Sequence, residues 1–306
     1  MLIEEELARA APQRETALTI GVFDGVHLGH QHLVQKLKQN AAAENLLSGV
    51  VTFRHHPRLV LSPGIELTYL TSLSERIRLL TSLGVELIAT LSFTPELAQL
   101  GAREFVSLLQ RQLKMRRLVI GPDFALGRGR EGDTCALQVL GQELNFRVEV
   151  VPAKVWHGEV VSSTAIRRAL SQGDVARATQ LLGRHFRLAG QVVKGDERGK
   201  MLGFPTANIV PDPEQALPAD GVYAVRAFLS GRVYNAVTNI GIRPTFGGSR
   251  RLIEVYLLDF QGELYGHELE IELVERLRGE IRFATADELK AQIMRDVEKT
   301  RTLLSS

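Results

Sequence analysis

Leu18-Thr19-Ile20-Gly21-Val22-Phe23-Asp24-Gly25-Val26-His27-Leu28-Gly29-His30 decides how the first half of the chain is read. The apolar run Leu18 to Phe23 predicts a buried strand, and Asp24-Gly25 breaks it. Leu33 and Leu37, four apart, then begin a helix stripe. A strand, a tight glycine turn and a helix start together make a phosphate site. The helix N-terminus offers unpaired N–H groups, and glycine lets a ligand approach the backbone. His27 and His30 are three apart, so both can face one bound anion. Their N–H groups could then stabilise an oxygen that gains charge.

Size and composition set the limits around this stretch. The chain has 306 residues, and at roughly 150 per domain two domains are expected. Hydrophobic residues make up 44%, enough for two ordinary cores. With 37 basic and 35 acidic residues the net charge is +2, which argues against extended nucleic-acid binding. The single cysteine, Cys135, rules out an intrachain disulfide, fits a reducing cytosol and is expected to pack. No apolar run reaches ~20 residues, so no membrane span is expected. Glu4-Glu5-Glu6 is unlike a signal peptide.

Strand and helix patterns alternate from residue 16 to about 183. Strands are predicted at Leu47–Phe53, Val85–Phe93, Arg117–Gly121 and Phe146–Val151. Helices are predicted after the Ser72/Glu75 capping-box spacing, over the stripe Phe105, Leu108, Leu109 and Leu113, and over Ala136–Leu144, Thr164–Ser171 and Val175–Leu182. This alternation implies a parallel sheet with helices on both faces, whose ligands bind beyond the carboxyl ends of the strands. Near Gly183-Arg184 the pattern changes. Strands at Phe186–Val193, Gly221–Leu229, Arg232–Ile240, Leu252–Phe260 and Glu268–Leu277 predict an antiparallel barrel or sandwich. Leu269, Ile271 and Leu273 alternate with Glu268, Glu270 and Glu272, the period of a half-buried strand. A last helix is predicted behind a Thr285/Glu288 capping box, with Leu289, Ile293 and Val297 as its buried stripe. The expected domains are 1–183 and 184–306.

Several other stretches carry chemistry. Ser162-Ser163-Thr164-Ala165-Ile166-Arg167 reads either as a plain helix cap or as an anion site, with hydroxyls and an arginine one turn on. Gly195 to Asn208, through Gly199-Lys200, Gly203-Phe204-Pro205 and Thr206-Ala207-Asn208, reads by composition as a flexible turn and lacks the Walker spacing. Glu254 is a charged residue in an apolar strand. It either faces water or serves as a proton acceptor.

The first stretch resembles the His-x-Gly-His signature of nucleotidyltransferases. In its longer form it is similar to the bifunctional riboflavin kinase/FMN adenylyltransferases, the FAD synthetases, and the motifs fall in family order over residues ~16 to 300. The resemblance implies a Rossmann-like nucleotidyltransferase domain, then a β-barrel riboflavin kinase domain with a terminal helix. It implies ATP, riboflavin, FMN and FAD as substrates and products, and Mg2+ as cofactor. Gly21, Phe23, Gly25, His27, Gly29 and His30 would meet ATP, with the β- and γ-phosphates on Ser163, Thr164 and Arg167. Gly121-Pro122-Asp123-Phe124-Ala125-Leu126-Gly127 is similar to the family's flavin loop, with Pro122, Ala125 and Leu126 departing from the usual residues. Thr52 to Pro57 is similar to another such motif, with His56 kept and His55 replacing proline. Asp123, Phe124 and His56 would therefore meet flavin. In the second half Gly195, Gly199, Lys200, Gly203 and Pro205 would cover nucleotide phosphates, and Thr206 and Asn208 would bind magnesium. Asn239 and Arg243 lie in a further signature, assigned to flavin, and Glu254 would activate the riboflavin 5′-hydroxyl. Asp259, an odd offset from Glu254, would face away.

Two other readings compete. A cytidylyltransferase or class I tRNA synthetase would explain the histidine motif but not Phe204-Pro205-Thr206-Ala207-Asn208. A non-catalytic flavin-binding protein would not need His27, His30, Arg167, Thr206, Asn208 and Glu254 together.

Overall fold

In a computed structural model, which describes residues 2–194, 203–245 and 248–305, the chain forms two compact units. One comprises Met1–Leu67 and Thr71–Ser162; the other comprises Thr68–Leu70 and Ser163–Ser306.

The first unit is built on β1 (Thr16–Ile20), β2 (Leu47–Phe53), β3 (Leu87–Leu91), β4 (Met115–Ile120) and β5 (Arg147–Val150). They pair in parallel in the order β3-β2-β1-β4-β5. Alternation along the strands splits the core. Leu18, Ile20, Val51, Leu118 and Ile120 face one layer, which holds α1 (Leu2–Arg9) and the later helices Ala102–Leu113 and Thr134–Leu144. Ala17, Val50 and Val119 face the other, under α2 (Leu28–Ala43) and the helix Leu73–Ser82. The chain turns one way from β1 into β2 and β3, and the other way into β4 and β5. Such an order opens a crevice beyond the carboxyl ends of β1 and β4.

Several details differ from the sequence reading. β1 stops at Ile20 because Phe23 takes a left-handed φ of 55°, turning its ring out of the strand direction. Helix α1 was not foreseen; its buried Glu6 accepts from Ser92 N–H and Oγ, pinning the end of β3. Cys135 is exposed rather than packed, because it lies in the first turn of its helix, ahead of the buried Leu137. Ser72 caps its helix as expected, but Glu75 pairs with Arg78 instead of closing the box.

The second unit is a closed barrel of β8 (Phe186–Val193), β9 (Ala207–Pro211), β10 (Gly221–Leu229), β11 (Arg232–Thr245), β12 (Gly248–Leu257) and β13 (Glu268–Arg278). All its pairings are antiparallel, in the order β10-β11-β12-β9-β8-β13. β6 (Val155–Trp156) and β7 (Glu159–Val160) form a small hairpin in the first unit. Leu269, Ile271 and Leu273 are fully buried, while Glu270 and Glu272 pair with Arg187 on β8. Gly190 is required where β8 meets β9, since a Cβ there would lie 2.3 Å from the Val210 carbonyl oxygen. The helices Ser163–Ser171 and Val175–Leu182 group with this barrel, and the second packs on β8 and β13. Gly183 ends that helix with φ 73°, a conformation suited to glycine. The terminal helix Ala286–Leu304 starts at its Thr285 cap. Its expected stripe of Leu289, Ile293 and Val297 is only half-buried. Asp296, Thr300 and Leu304 are the buried residues, because Asp296 is drawn in by Arg278 of β13 at 2.9 Å.

Candidate active sites

Three sequence motifs leave the carboxyl ends of three neighbouring strands. Arg54 to Pro57 follows β2, Gly21 to His30 follows β1, and Gly121 to Arg130 follows β4. After β1 the backbone makes an unusual turn: Phe23, Gly25 and Val26 have φ of 55°, 81° and 39°. Buried Asp24 holds it, accepting from the Thr71 N–H at 3.1 Å while the Gly25 N–H donates to the Thr71 hydroxyl at 3.0 Å. His27 then caps α2, its Nδ1 accepting from the His30 N–H at 3.3 Å. The two imidazoles stack with centroids 3.7 Å apart and planes 17° apart, and the Phe23 ring lies 5.0 Å from His30. Gly29 is needed between them: a Cβ there would fall 3.0 Å from the His27 ring and 3.1 Å from the Val161 carbonyl oxygen. A Cβ on Gly21 would fall 3.1 Å from the Phe23 ring.

His30 is half-buried, with its Nδ1 out of water and without a hydrogen-bond partner among the described residues. Burial, then the neighbouring His27, then Arg76 hold its pKa well below the ordinary histidine value. Arg76, missed in the sequence reading, is fully buried and donates from Nη1 to the Phe53 carbonyl at 2.8 Å. A buried arginine beside paired imidazoles suits an anionic ligand. Its only sequence signal was a charged residue on the buried side of a helix.

The expected flavin residues are less deeply set. His56 is half-buried and its Nδ1 accepts from the Arg58 N–H at 3.1 Å. Asp123 is exposed, and Arg130 donates to its carbonyl at 3.0 Å, so Arg130 fixes this loop. Phe124 packs against the sheet core, and Leu126 is buried.

In the second unit Ser163 and Thr164 open their helix as foreseen, and Arg167 lies one turn on. Arg167 Nε donates to the Thr68 carbonyl at 2.8 Å, which fixes its stem.

On the barrel, register brings three expected residues together. Glu254 on β12 sits opposite Asn239 on β11 and opposite Asn208 on β9. Directly paired residues share a face, so the three side chains form a row. Ile253 and Val255 fill the interior, so the row lies on the outer face. Asn208 is nevertheless buried, and its Oδ1 has no hydrogen-bond partner among the described residues. Thr206, two residues earlier, is half-buried. The Phe204 ring meets Tyr256 edge-on at 5.5 Å, and Tyr256 shares the Glu254 face of β12. That contact ties the Phe204-Pro205-Thr206 segment to the same side of the barrel. Gly203 takes φ 88° and Pro205 is exposed. Asp259 does not share the strand: β12 ends at Leu257, and Asp259 pairs with Arg301 at 2.6 and 2.7 Å, which lowers its pKa. Arg243 lies in β11 opposite Arg250. Gly195, Gly199 and Lys200 lie outside the described residues.

Comparison with known proteins shows the family of the chain. The FAD synthetase family model matches residues 9–165, and the riboflavin kinase model matches residues 182–304. The bifunctional riboflavin kinase/FMN adenylyltransferase of Escherichia coli K12 is 43% identical over 94% of this chain and 92% of its own. That of Bacillus subtilis 168 is 36% identical over 97% and 93%. A crystal structure described as a macrolide-efflux protein from Streptococcus pneumoniae has a TM-score of 0.89 and 31% identity, over 96% of each chain. Among the described residues no helix is long and apolar enough to cross a membrane. Matched along nearly its whole length, with both domain models in order, the chain belongs to the bifunctional riboflavin kinase/FMN adenylyltransferase family.

Proposed function

We propose that the chain phosphorylates riboflavin to FMN in its second half and adenylylates FMN to FAD in its first, with ATP as donor for both. The family membership supports the pair of activities. The observation that carries the residue assignment is the row Asn208–Glu254–Asn239 across three adjacent strands.

In the kinase reaction the riboflavin 5′-hydroxyl oxygen attacks the γ-phosphorus of ATP and ADP leaves. The hydroxyl is a poor nucleophile at neutral pH, so its proton needs an acceptor, and Glu254 supplies one. Asn239 and Arg243 would meet the flavin; Gly195, Gly199, Lys200, Gly203 and Pro205 would cover the nucleotide phosphates. Thr206 and Asn208 would hold Mg2+. The buried Asn208 Oδ1, which has no hydrogen-bond partner among the described residues, fits that role, because neutral oxygens with phosphate and water suit a hard cation. When bound, Mg2+ would neutralise phosphate charge.

In the adenylyl transfer an FMN phosphate oxygen attacks the α-phosphorus of ATP and pyrophosphate leaves. The nucleophile is already anionic, so positioning and charge stabilisation suffice. His27 and His30 would donate to the reacting phosphoryl group, and Ser163, Thr164 and Arg167 would hold the leaving phosphates. His56, Asp123 and Phe124 would meet the flavin. The partners are small molecules, with no nucleic acid or membrane, in a reducing cytoplasm. The two activities would divide at 183/184, although the helices Ser163–Ser171 and Val175–Leu182 group with the barrel.

The test is to incubate the protein with riboflavin and magnesium-ATP and resolve the products by chromatography. Glu254→Gln should lower riboflavin phosphorylation by ~10²–10⁴-fold and leave adenylylation of supplied FMN near normal. Wild-type phosphorylation in that variant would remove Glu254 from the mechanism.

A further inference from the structure

Helix α1 turns Ile3, Glu6 and Leu7 to its buried side. Ile3 and Leu7 join the core of the first unit. Glu6 stands where a leucine would pack, and burying its carboxyl group costs stability unless it is well hydrogen-bonded. Among the described residues three donors meet it. The Ser92 N–H donates at 2.7 Å, the Ser92 hydroxyl at 2.8 Å and Arg54 Nε at 3.5 Å. Ser92 is the first residue after β3, and Arg54 is the first after β2. A carboxylate has two oxygens that only accept, so it satisfies converging donors as neither leucine nor glutamine can. The exit of β2 is fixed at two further points. The Arg54 N–H donates to the Leu91 carbonyl at 2.9 Å, and the Phe53 carbonyl accepts from Arg76. Two residues past Arg54 the chain reaches His56.

We propose that Glu6 is a positioning residue for adenylyl transfer: by holding Arg54 and Ser92 it sets the exit of β2 and so aims His56 at the flavin. It rests on the reading of His56 as a flavin residue. Helix α1 lies ahead of residues 9–165, which the FAD synthetase model matches, and no motif that led to the family includes Glu6 or Ser92. An apolar side chain would dock the helix equally well, so docking does not account for the carboxylate. Its contacts reach the carboxyl ends of two neighbouring parallel strands, the edge of the sheet where ligands bind. A loop whose stem is fixed beforehand has less ordering left to undergo when its ligand arrives.

Steady-state FAD formation by the full chain, with FMN and ATP varied separately, tests this. Glu6→Gln keeps the size but turns one acceptor into a donor that faces other donors. It should raise the KM for FMN about tenfold, the worth of one charge-assisted hydrogen bond, and leave the KM for ATP and riboflavin phosphorylation unchanged. Arg54→Ala should do the same. Arg54 is exposed, so its variant keeps the test valid if a change at Glu6 unsettles the core. The double variant should show no larger rise than either single one, because both break one contact. An FMN KM at the wild-type value in Arg54→Ala and in folded Glu6→Gln, whatever their melting temperatures, would overturn the proposal, since the carboxylate would then only dock the helix. Multiplied effects in the double variant would also overturn it, because Arg54 would act without Glu6. His56→Ala separates the two readings. A raised FMN KM in that variant, with a wild-type value in Glu6→Gln, sinks the Glu6 proposal alone. A wild-type FMN KM in His56→Ala, with a raised value in Glu6→Gln, sinks the reading of His56 and leaves Glu6 positioning the exit of β2.

Discussion

Burial, the neighbouring His27 and the Arg76 guanidinium all disfavour a second proton on His30 and hold its pKa well below the ordinary histidine value. The unfolded chain binds that proton near the ordinary value of 6.5. A depressed folded pKa means that stability is fully present above about 6.5 and is lost as pH falls toward the folded value. His30→Gln should therefore flatten the acid loss of stability seen in denaturant melts, and an unchanged pH slope would count against this. The same variant should lose FAD formation on the order of a hundredfold, the value of one donor worth ~3 kcal/mol, while FMN formation continues. The histidine pair was legible in sequence because glycines framed it, and Gly29 is where the frame has no room for a side chain. Arg76 was not legible. An arginine on an amphipathic helix reads as surface, and only the distant Phe53 carbonyl reveals that it is inside.

At the scale of elements, the terminal helix shows how a carboxylate can mark a docking face. Asp296 is buried against Arg278 of β13 at 2.9 Å, and Gln292 also donates to it at 2.9 Å. Asp296→Ala would strand the arginine. Losing one partner of a fully buried pair costs about 3–5 kcal/mol. Arg278 keeps some solvent contact, so about 2–3 kcal/mol is expected here. Thermal denaturation checks the value, and a change below about 0.5 kcal/mol, ordinary for a surface site, would show that the helix docks by its apolar residues alone. The Thr285 cap was readable from local chemistry. The buried side of the helix was not, since its deciding partner sits on β13. β9 escaped the sequence reading for a related reason: Ala207-Asn208-Ile209 is short and polar at its centre, and its neighbours β8 and β12 define it.

For the whole molecule, the switch from alternating to consecutive strands was visible in the hydrophobic pattern, whereas the strand orders were not. Order is a matter of pairing between distant segments. The helix Val175–Leu182 packs Val175, Ala178, Leu181 and Leu182 inward and groups with the barrel. A fragment of residues 184–306 should still convert riboflavin to FMN. One of residues 163–306 should melt about 10 °C higher, since burying two such side chains contributes ~3 kcal/mol. Equal melting of the two fragments would show that these helices add nothing to the barrel. Closure of that barrel has a consequence for quality control. Slipping β12 by one residue against β9 would turn Glu254 from the outer face to the interior and bring Val255 out. Turnover per mole of chain would then count correctly threaded barrels, making the kinase reaction a gauge of its own folding fidelity.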